Sequence, residues 1–402
     1  MVAHKQKLIE EIREQIDLSR EVSDEEVLGI IDQRIVECSK STFISLHDKG
    51  RLRKELFHAI RRLDILQELV DDTEITEIMV NGTAPIFIEK EGRLVSLPLS
   101  FETRERLEDI IQQIVSGANR VVNTASPIVD ATLDNGSRVN VVLPPIAING
   151  PILTIRRFPD KPLQMEDLLR MGTISKEARD FLQRLVIAGY NIMISGGTGS
   201  GKTTFLNTLS CFIPEDERIV TIEDSAELQI QGISNLVRME TRNANVEGCK
   251  EITIRDLIKT ALRMRPDRII VGEVRGKEAI DLMSAFNTGH DGSLSTAHAN
   301  SARDLLSRME TMMLMGVAMP LSAIRRQMAS GIDIIIHLGR LRDRSRRVLE
   351  IAEVIDIHKD EIELQSLYRF VEQATDEKGK IMGELQKINS LRHTQKLEHR
   401  GI

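Results

Sequence analysis

The octapeptide "GGTGSGKT", residues 196–203, constrains the fold of this chain more than any other stretch. It follows an apolar run at 190–195 and opens the helix-like run "KTTFLNTLSCF". A G-x-x-x-x-G-K-[ST] pattern between a strand and a helix is a phosphate-binding loop. Glycines are needed because the backbone must wrap closely around phosphate oxygens and point N–H groups at them. The helix start adds positive dipole character. The nucleotide-binding candidates are Gly196, Gly197, Thr198, Gly199, Ser200, Gly201, Lys202, Thr203 and Thr204. Lys202 would neutralise charge on the outer phosphates of ATP, and Thr203 would ligate Mg²⁺.

Strand–helix alternation from about residue 180 implies a mainly parallel sheet. Its core strands are read at "YNIMIS", "ERIVTIE", "DRIIVGE", "GSLSTAH" and "GIDIIIHL". Upstream, apolar residues recur at helical spacing and give a helical N-terminal extension over 1–60. Residues 61–158 mix periods. "EITEIMVNGTAPIFIEKEGRLVSLPL" alternates like hairpins, with turns at Asn81-Gly82 and Glu91-Gly92; "RERLEDIIQQIVSGANR" is a helix; two more strands flank Asn149-Gly150-Pro151. The expected fold is thus α/β: an α+β N-terminal domain over 61–158, a linker at 159–179, and a P-loop domain over 180–371. A polar, mobile tail is expected at 372–402.

The length of 402 residues suits two or three domains. A net charge of −7, with 3% aromatic residues and no Trp, argues against nucleic-acid binding. Cys38, Cys211 and Cys249 make neither a disulfide framework nor a CxxC zinc site, and a reducing cytoplasm fits them. The N-terminus lacks the apolar core of a signal peptide, and no run reaches the roughly 18 apolar residues of a membrane span. Peripheral membrane association would have to go through partners.

Hydrolysis needs groups that orient or activate water. Two acid clusters sit at the carboxyl ends of predicted strands, where open parallel sheets bind ligands. "TIEDSAE" supplies Glu223, Asp224 and Glu227. "DRIIVGEVRG" supplies Glu273, one residue after Gly272, which stands where a metal-holding Asp is ordinarily found. Spacing leaves open whether Glu223 or Glu227 is the main actor. His298 follows the strand in "GSLSTAH", and the sequence leaves open a structural role or γ-phosphate sensing. Asp291, Asn300 and Arg303 are weaker candidates. Arg138 and Arg156 lie on strands, where arginine is usually solvated.

The order "GGTGSGKTT", "TIEDSAELQI", "ALRMRPDRIIVGEVRG", "GHDGSLSTAHANSARD" resembles the secretion ATPases of the type II/type IV superfamily. These carry a Walker A loop, an Asp box, an atypical Walker B and a His box in that order. "TEIMVNG", "GSRVNVVLPP" and "GPILTIRRFP" extend the resemblance into the first domain. Within the superfamily the chain resembles the CpaF-like branch, the ATPase of Tad/Flp pilus assembly, through "RMRPDRIIVGEVRG" and "GHDGSLSTAHANS".

The resemblance implies a cytoplasmic homo-hexamer at the inner face of the membrane, bound to inner-membrane platform proteins. ATP, with Mg²⁺, would sit between the N-terminal domain and a RecA-like domain and drive pilus assembly or secretion. Lys202 and Thr203 match the Walker A residues, and Glu227 matches the Asp-box glutamate assigned as base. Glu273 matches the Walker B glutamate, acting on the metal through water, and His298 matches the His-box histidine. Arg138 and Arg156 match arginines that reach the nucleotide phosphates. With three cysteines the chain cannot form the tetracysteine zinc module of some relatives, and "EDSAE" lacks the Pro many carry after the Asp. Conjugation-type secretion and pilus-retraction ATPases share the fold and are the nearest alternatives. A RecA-like nucleic-acid motor is disfavoured by charge.

Overall fold

The computed structural model describes residues 2–16, 20, 22–41, 43–90, 92–133, 135–157, 162–242, 250–377 and 379–402. Cys249, Glu91 and the start of the expected linker lie outside the described residues. The chain forms two units, Met1–Asp160 and Lys161–Ile402.

The first unit opens with three helices, α1 (Val2–Gln15), α2 (Asp24–Ser41) and α3 (Leu46–Arg61). Their apolar stripes converge on a small core that includes Ile12, Val27, Ile31 and Leu56. The Ser45 hydroxyl caps α3 by accepting from the Asp48 N–H. A 3₁₀ turn and α4 (Gln67–Asp71) lead to β1 (Ile75–Asn81), β2 (Phe87–Lys90), β3 (Arg93–Ser96), α5 (Arg104–Gly117), β4 (Ile128–Thr132), β5 (Arg138–Val142) and β6 (Ile152–Arg156). The strands make one antiparallel sheet in the order β3-β2-β1-β6-β5-β4. Against it α5 buries Leu107, Ile110, Ile111 and Ile114. The sequence did not announce β4.

The second unit runs α6 (Met165–Arg170), α7 (Lys176–Ala188), β7 (Ile192–Gly196), α8 (Lys202–Ser210), β8 (Ile219–Glu223), β9 (Leu236–Glu240), α9 (Ile254–Ala261), β10 (Arg268–Val271), α10 (Ala279–Phe286), β11 (Leu294–His298), α11 (Ala302–Gly316) and α12 (Leu321–Gly331). It closes with β12 (Ile334–Arg340), β13 (Arg346–His358), β14 (Glu361–Thr375), β15 (Ile381–Lys387) and α13 (Gln395–Arg400). One sheet has the order β15-β14-β13-β12-β7-β11-β10-β8-β9. Neighbours from β12 to β9 are parallel, whereas β12 to β15 are antiparallel. The five strands read from sequence all fall in the parallel part. They are buried on both faces, as near-continuous apolar runs require. Met193, Val220 and Ile222 pack on one face, while Ile192, Ile194 and Ile270 pack on the other.

Two expectations change. The 159–179 segment is not a bare linker: α6 and the start of α7 belong to the second unit, with Met165 and Leu168 in its core. The mobile tail at 372–402 is instead β15 and α13 packed on that unit. Ile381, Leu385 and Leu397 are buried. The buried Glu353 carboxylate accepts from the N–H groups of Arg392 and His393, and Lys396 donates to Asp333 and Asp291. An edge strand needs only alternate apolar residues, so its polarity resembled that of a loose tail.

Candidate functional site

Strand β7 ends in Gly196 and helix α8 begins at Lys202, so the glycine-rich loop spans the strand-to-helix turn. Its backbone takes conformations that side chains resist. A Cβ at Gly196 (φ +157°) would sit 2.5 Å from both the Leu338 carbonyl oxygen and Ser200 Oγ. Gly199 and Gly201 have φ of +70° and +92°. At Gly197 and Gly199 nothing would meet a Cβ within 4 Å, so the tip of the loop faces open space. Ser200 Oγ is buried without a hydrogen-bond partner among the described residues. A buried orphan hydroxyl inside a phosphate loop fits a loop that takes an anion. Thr203 and Thr204 stand half-buried in the first turn of α8.

Lys202 is turned onto its own loop. Its ammonium donates to the carbonyls of Gly196 (3.1 Å) and Gly197 (3.2 Å) and lies 3.2 Å from His298 Nδ1. Register places His298 beside Gly196, at the carboxyl end of β11. His298 Nε2 lies 2.9 Å from Glu273 Oε1, and Arg275 donates to Glu273 Oε2 at 2.8 Å. Arg275 also lies 3.6 Å from Asp224. A lysine donor at Nδ1 assigns the ring proton to Nε2, on the side of Glu273, whose Oε1 is buried and accepts no hydrogen bond among the described residues. Burial chiefly lowers the His298 pKa. Glu273 opposes this, and Lys202, Arg275 and Arg308 add to the lowering. The ring therefore stands between Lys202 and Glu273.

Glu223 sits differently. It is buried, and its Oε1 accepts from the N–H groups of Glu227 (3.0 Å) and Leu228 (2.8 Å). Burial pushes its pKa up to about 7, against the pull of those two N–H groups. A Cβ at Gly272 would meet Glu223 Cγ at 3.1 Å. The volume in front of Gly272 is thus filled by a carboxylic side chain from the neighbouring strand. Glu227 is half-buried on the segment Glu223 holds. Glu223, expected among the reacting acids, faces backbone amides.

The loop, Glu273, His298 and the "TIEDSAE" acids come together in the second unit. Arg138 and Arg156 belong to the first, where they are directly opposite on β5 and β6, with Glu77 next in the row on β1. Asp291 and Arg303 are in ion pairs, with Lys396 (2.8 Å) and Glu361 (3.5 Å). Sequence reasoning missed Arg275, although it sits inside the quoted "VGEVRG". It also missed Arg346, whose Nε donates to the Gly199 carbonyl at 2.9 Å. Arg346 opens β13, a strand whose charged sequence gave no apolar run to notice.

Residues 61–389 match the family described as Type II/IV secretion system protein. A putative conjugal transfer protein of Mycobacterium tuberculosis is 35% identical over 294 residues, covering 72% of this chain and 83% of that protein. The type IV secretion system protein PtlH of Bordetella pertussis is 32% identical over 316 residues, covering 72% of this chain and 93% of its own. An uncharacterized protein of Methanocaldococcus jannaschii is 44% identical over 253 residues, 61% of this chain, and the match spans only 35% of that relative's length. The crystal structure of the pilus retraction motor PilT with bound ADP superposes with a TM-score of 0.52 at 18% identity, covering 84% of this chain and 86% of that one. That likeness is one of fold: an N-terminal domain followed by a RecA-like domain. With the family match running through both units, the chain belongs to the type II/IV secretion system protein family.

Proposed function

We propose that this chain is a motor ATPase that hydrolyses ATP to power a Tad/Flp-type pilus or a related secretion machine. The observation that carries the reading is the close row of Lys202, His298, Glu273 and Arg275, which runs from the phosphate loop to the acids. A loop that only held nucleotide would not need a histidine and a carboxylate set beside its lysine.

The chemistry follows from the side chains. Backbone N–H groups of residues 197–203 and the Ser200 hydroxyl cradle the phosphates. Lys202 exchanges its two loop carbonyls and the His298 nitrogen for phosphate oxygens. His298, freed of the lysine, gains a proton at Nδ1 so that it can donate to a γ-phosphate oxygen, with Glu273 beside Nε2 offsetting the charge. The Thr203 hydroxyl and, through water, Glu273 would hold the Mg²⁺ that accompanies ATP, whose charge offsets that of the phosphates. Glu227 takes the proton of the attacking water, and Glu223 positions its segment. Arg138 and Arg156 are assigned to phosphate oxygens. The working form is a ring of six copies, held to the inner face of the membrane by platform proteins. Among the described residues no helix is long and apolar enough to cross a membrane.

Turnover by the purified protein tests the reading. Glu227→Gln and Glu273→Gln should each lower kcat about 100-fold or more, the usual effect of losing an acid–base group. Full turnover in Glu227→Gln would remove it as base. The conjugal-transfer relatives favour a second reading, a conjugation-type secretion motor. Deletion separates the two: loss of pili supports the first, and loss of conjugal transfer with intact pili supports the second.

A further inference from the structure

We propose that a groove beside the phosphate loop is an exit site for the inorganic phosphate released by hydrolysis. The inference rests on the ATPase reading above and adds a second anion site to it.

The groove has a volume of about 680 Å³. It begins at Gly197 and Thr198, the exposed tip of the loop, and passes His298 and Arg275. It ends on the face of α11 that carries Ser307 and Arg308. Nucleotide phosphates are held by the backbone amides behind the tip, whereas this groove leads outward from it.

Its charge suits a small, doubly charged anion. Arg275 is committed to Glu273 and Asp224. Arg308 is exposed and has no hydrogen bond or ion pair among the described residues. Its field nonetheless reaches His298, where it helps to lower the pKa. An uncommitted guanidinium presents the planar fork that matches two phosphate oxygens. Ser307, the residue before it, adds a hydroxyl donor on the same wall. One acid, Asp304, shares that wall, so retention is weak, as an exit requires.

The route has a physical purpose. A phosphate ion left against the loop competes with the next ATP for the same amides. A cationic step further along the groove lowers the barrier to its departure.

Arg308→Gln tests this, with product inhibition as the readout. Inhibition by inorganic phosphate should weaken about tenfold, the loss expected for one charge-assisted hydrogen bond. Inhibition by ADP should be unchanged. Arg308→Lys should recover part of the effect, since it restores charge without the fork. An independent arm needs no turnover: phosphorus NMR line broadening of inorganic phosphate added to ADP-loaded protein should weaken in Arg308→Gln. Equal phosphate inhibition and equal broadening in variant and wild type overturn the proposal. Parallel weakening of ADP and phosphate inhibition also overturns it, by placing Arg308 in the nucleotide site. If the wild type hydrolyses no ATP, the ATPase reading fails by itself. The broadening arm then decides the groove alone: loss in Arg308→Gln supports it and no loss overturns it.

Discussion

On neighbouring strands, Glu223 fills the volume that a side chain at Gly272 would need. Restoring the acid usually found at that position should therefore harm this protein. Gly272→Asp should cost on the order of 2–4 kcal/mol in urea unfolding, from overpacking and a second carboxyl beside a buried one. In a Glu223→Ala background the cost should shrink, and a double-mutant cycle measures the coupling. Glu223 also makes a pH prediction. Its folded pKa, about 7, lies above the ordinary value of 4.5, so the folded state binds the extra proton between those values. Stability from this group is complete below about 4.5 and is lost as pH rises through about 7, on the order of 3 kcal/mol in all. Thermal melts of the wild type should fall as pH rises from about 4.5 to about 7, and Glu223→Gln should flatten that slope. The sequence grouped these acids but could not tell Glu223 from Glu227. Both follow a strand, and only the turn of residues 224–228 back over Glu223 decides which one meets water.

Among the elements, five parallel strands were legible because each closes an apolar run with a turn signal, whereas the sixth, β9, half-exposed at the sheet's edge, was not. The charged strands β13, β14 and β15 were not. Their alternation mixes Arg and Glu with apolar residues, and what holds them is antiparallel backbone pairing, each strand to the next in sequence. The first unit, by contrast, offers a long-range tie. Arg106 on α5 bonds Asp64 at 2.6 Å and the Ala59 carbonyl at 2.7 Å, joining the sheet's helix to the end of α3. Both partners are largely buried. Arg106→Ala should lower stability by about 2–3 kcal/mol, because it strands a buried carboxylate. Limited proteolysis should then cut between α3 and β1 before any other site. Across β5 and β6, Arg138 opposite Arg156 is a like-charge pair that a sheet tolerates at a small cost. Substituting Arg156 by Gln should leave stability unchanged or slightly raised in the absence of nucleotide, measured by thermal melting.

At the level of the whole molecule, the second unit's sheet divides its labour. The carboxyl ends of its parallel strands carry the loop, His298 and the acids, and its antiparallel half carries the polar C-terminal segment. That segment has a practical consequence. A fragment designed to stop at residue 371, where polarity alone suggests the domain ends, would cut β14 short and delete β15. It would strip Ile381 and Leu385 from a surface that includes the buried Leu367 and Tyr368. The result is a long, bare strand offering unpaired N–H and C=O groups to any other copy, the usual seed of edge-to-edge aggregation. Light scattering should show the truncated fragment precipitating where the longer chain stays monodisperse. Thirty-one residues that look disposable, eleven of them Asp, Glu, Lys or Arg, would then be what keeps the second unit's sheet from polymerising on itself.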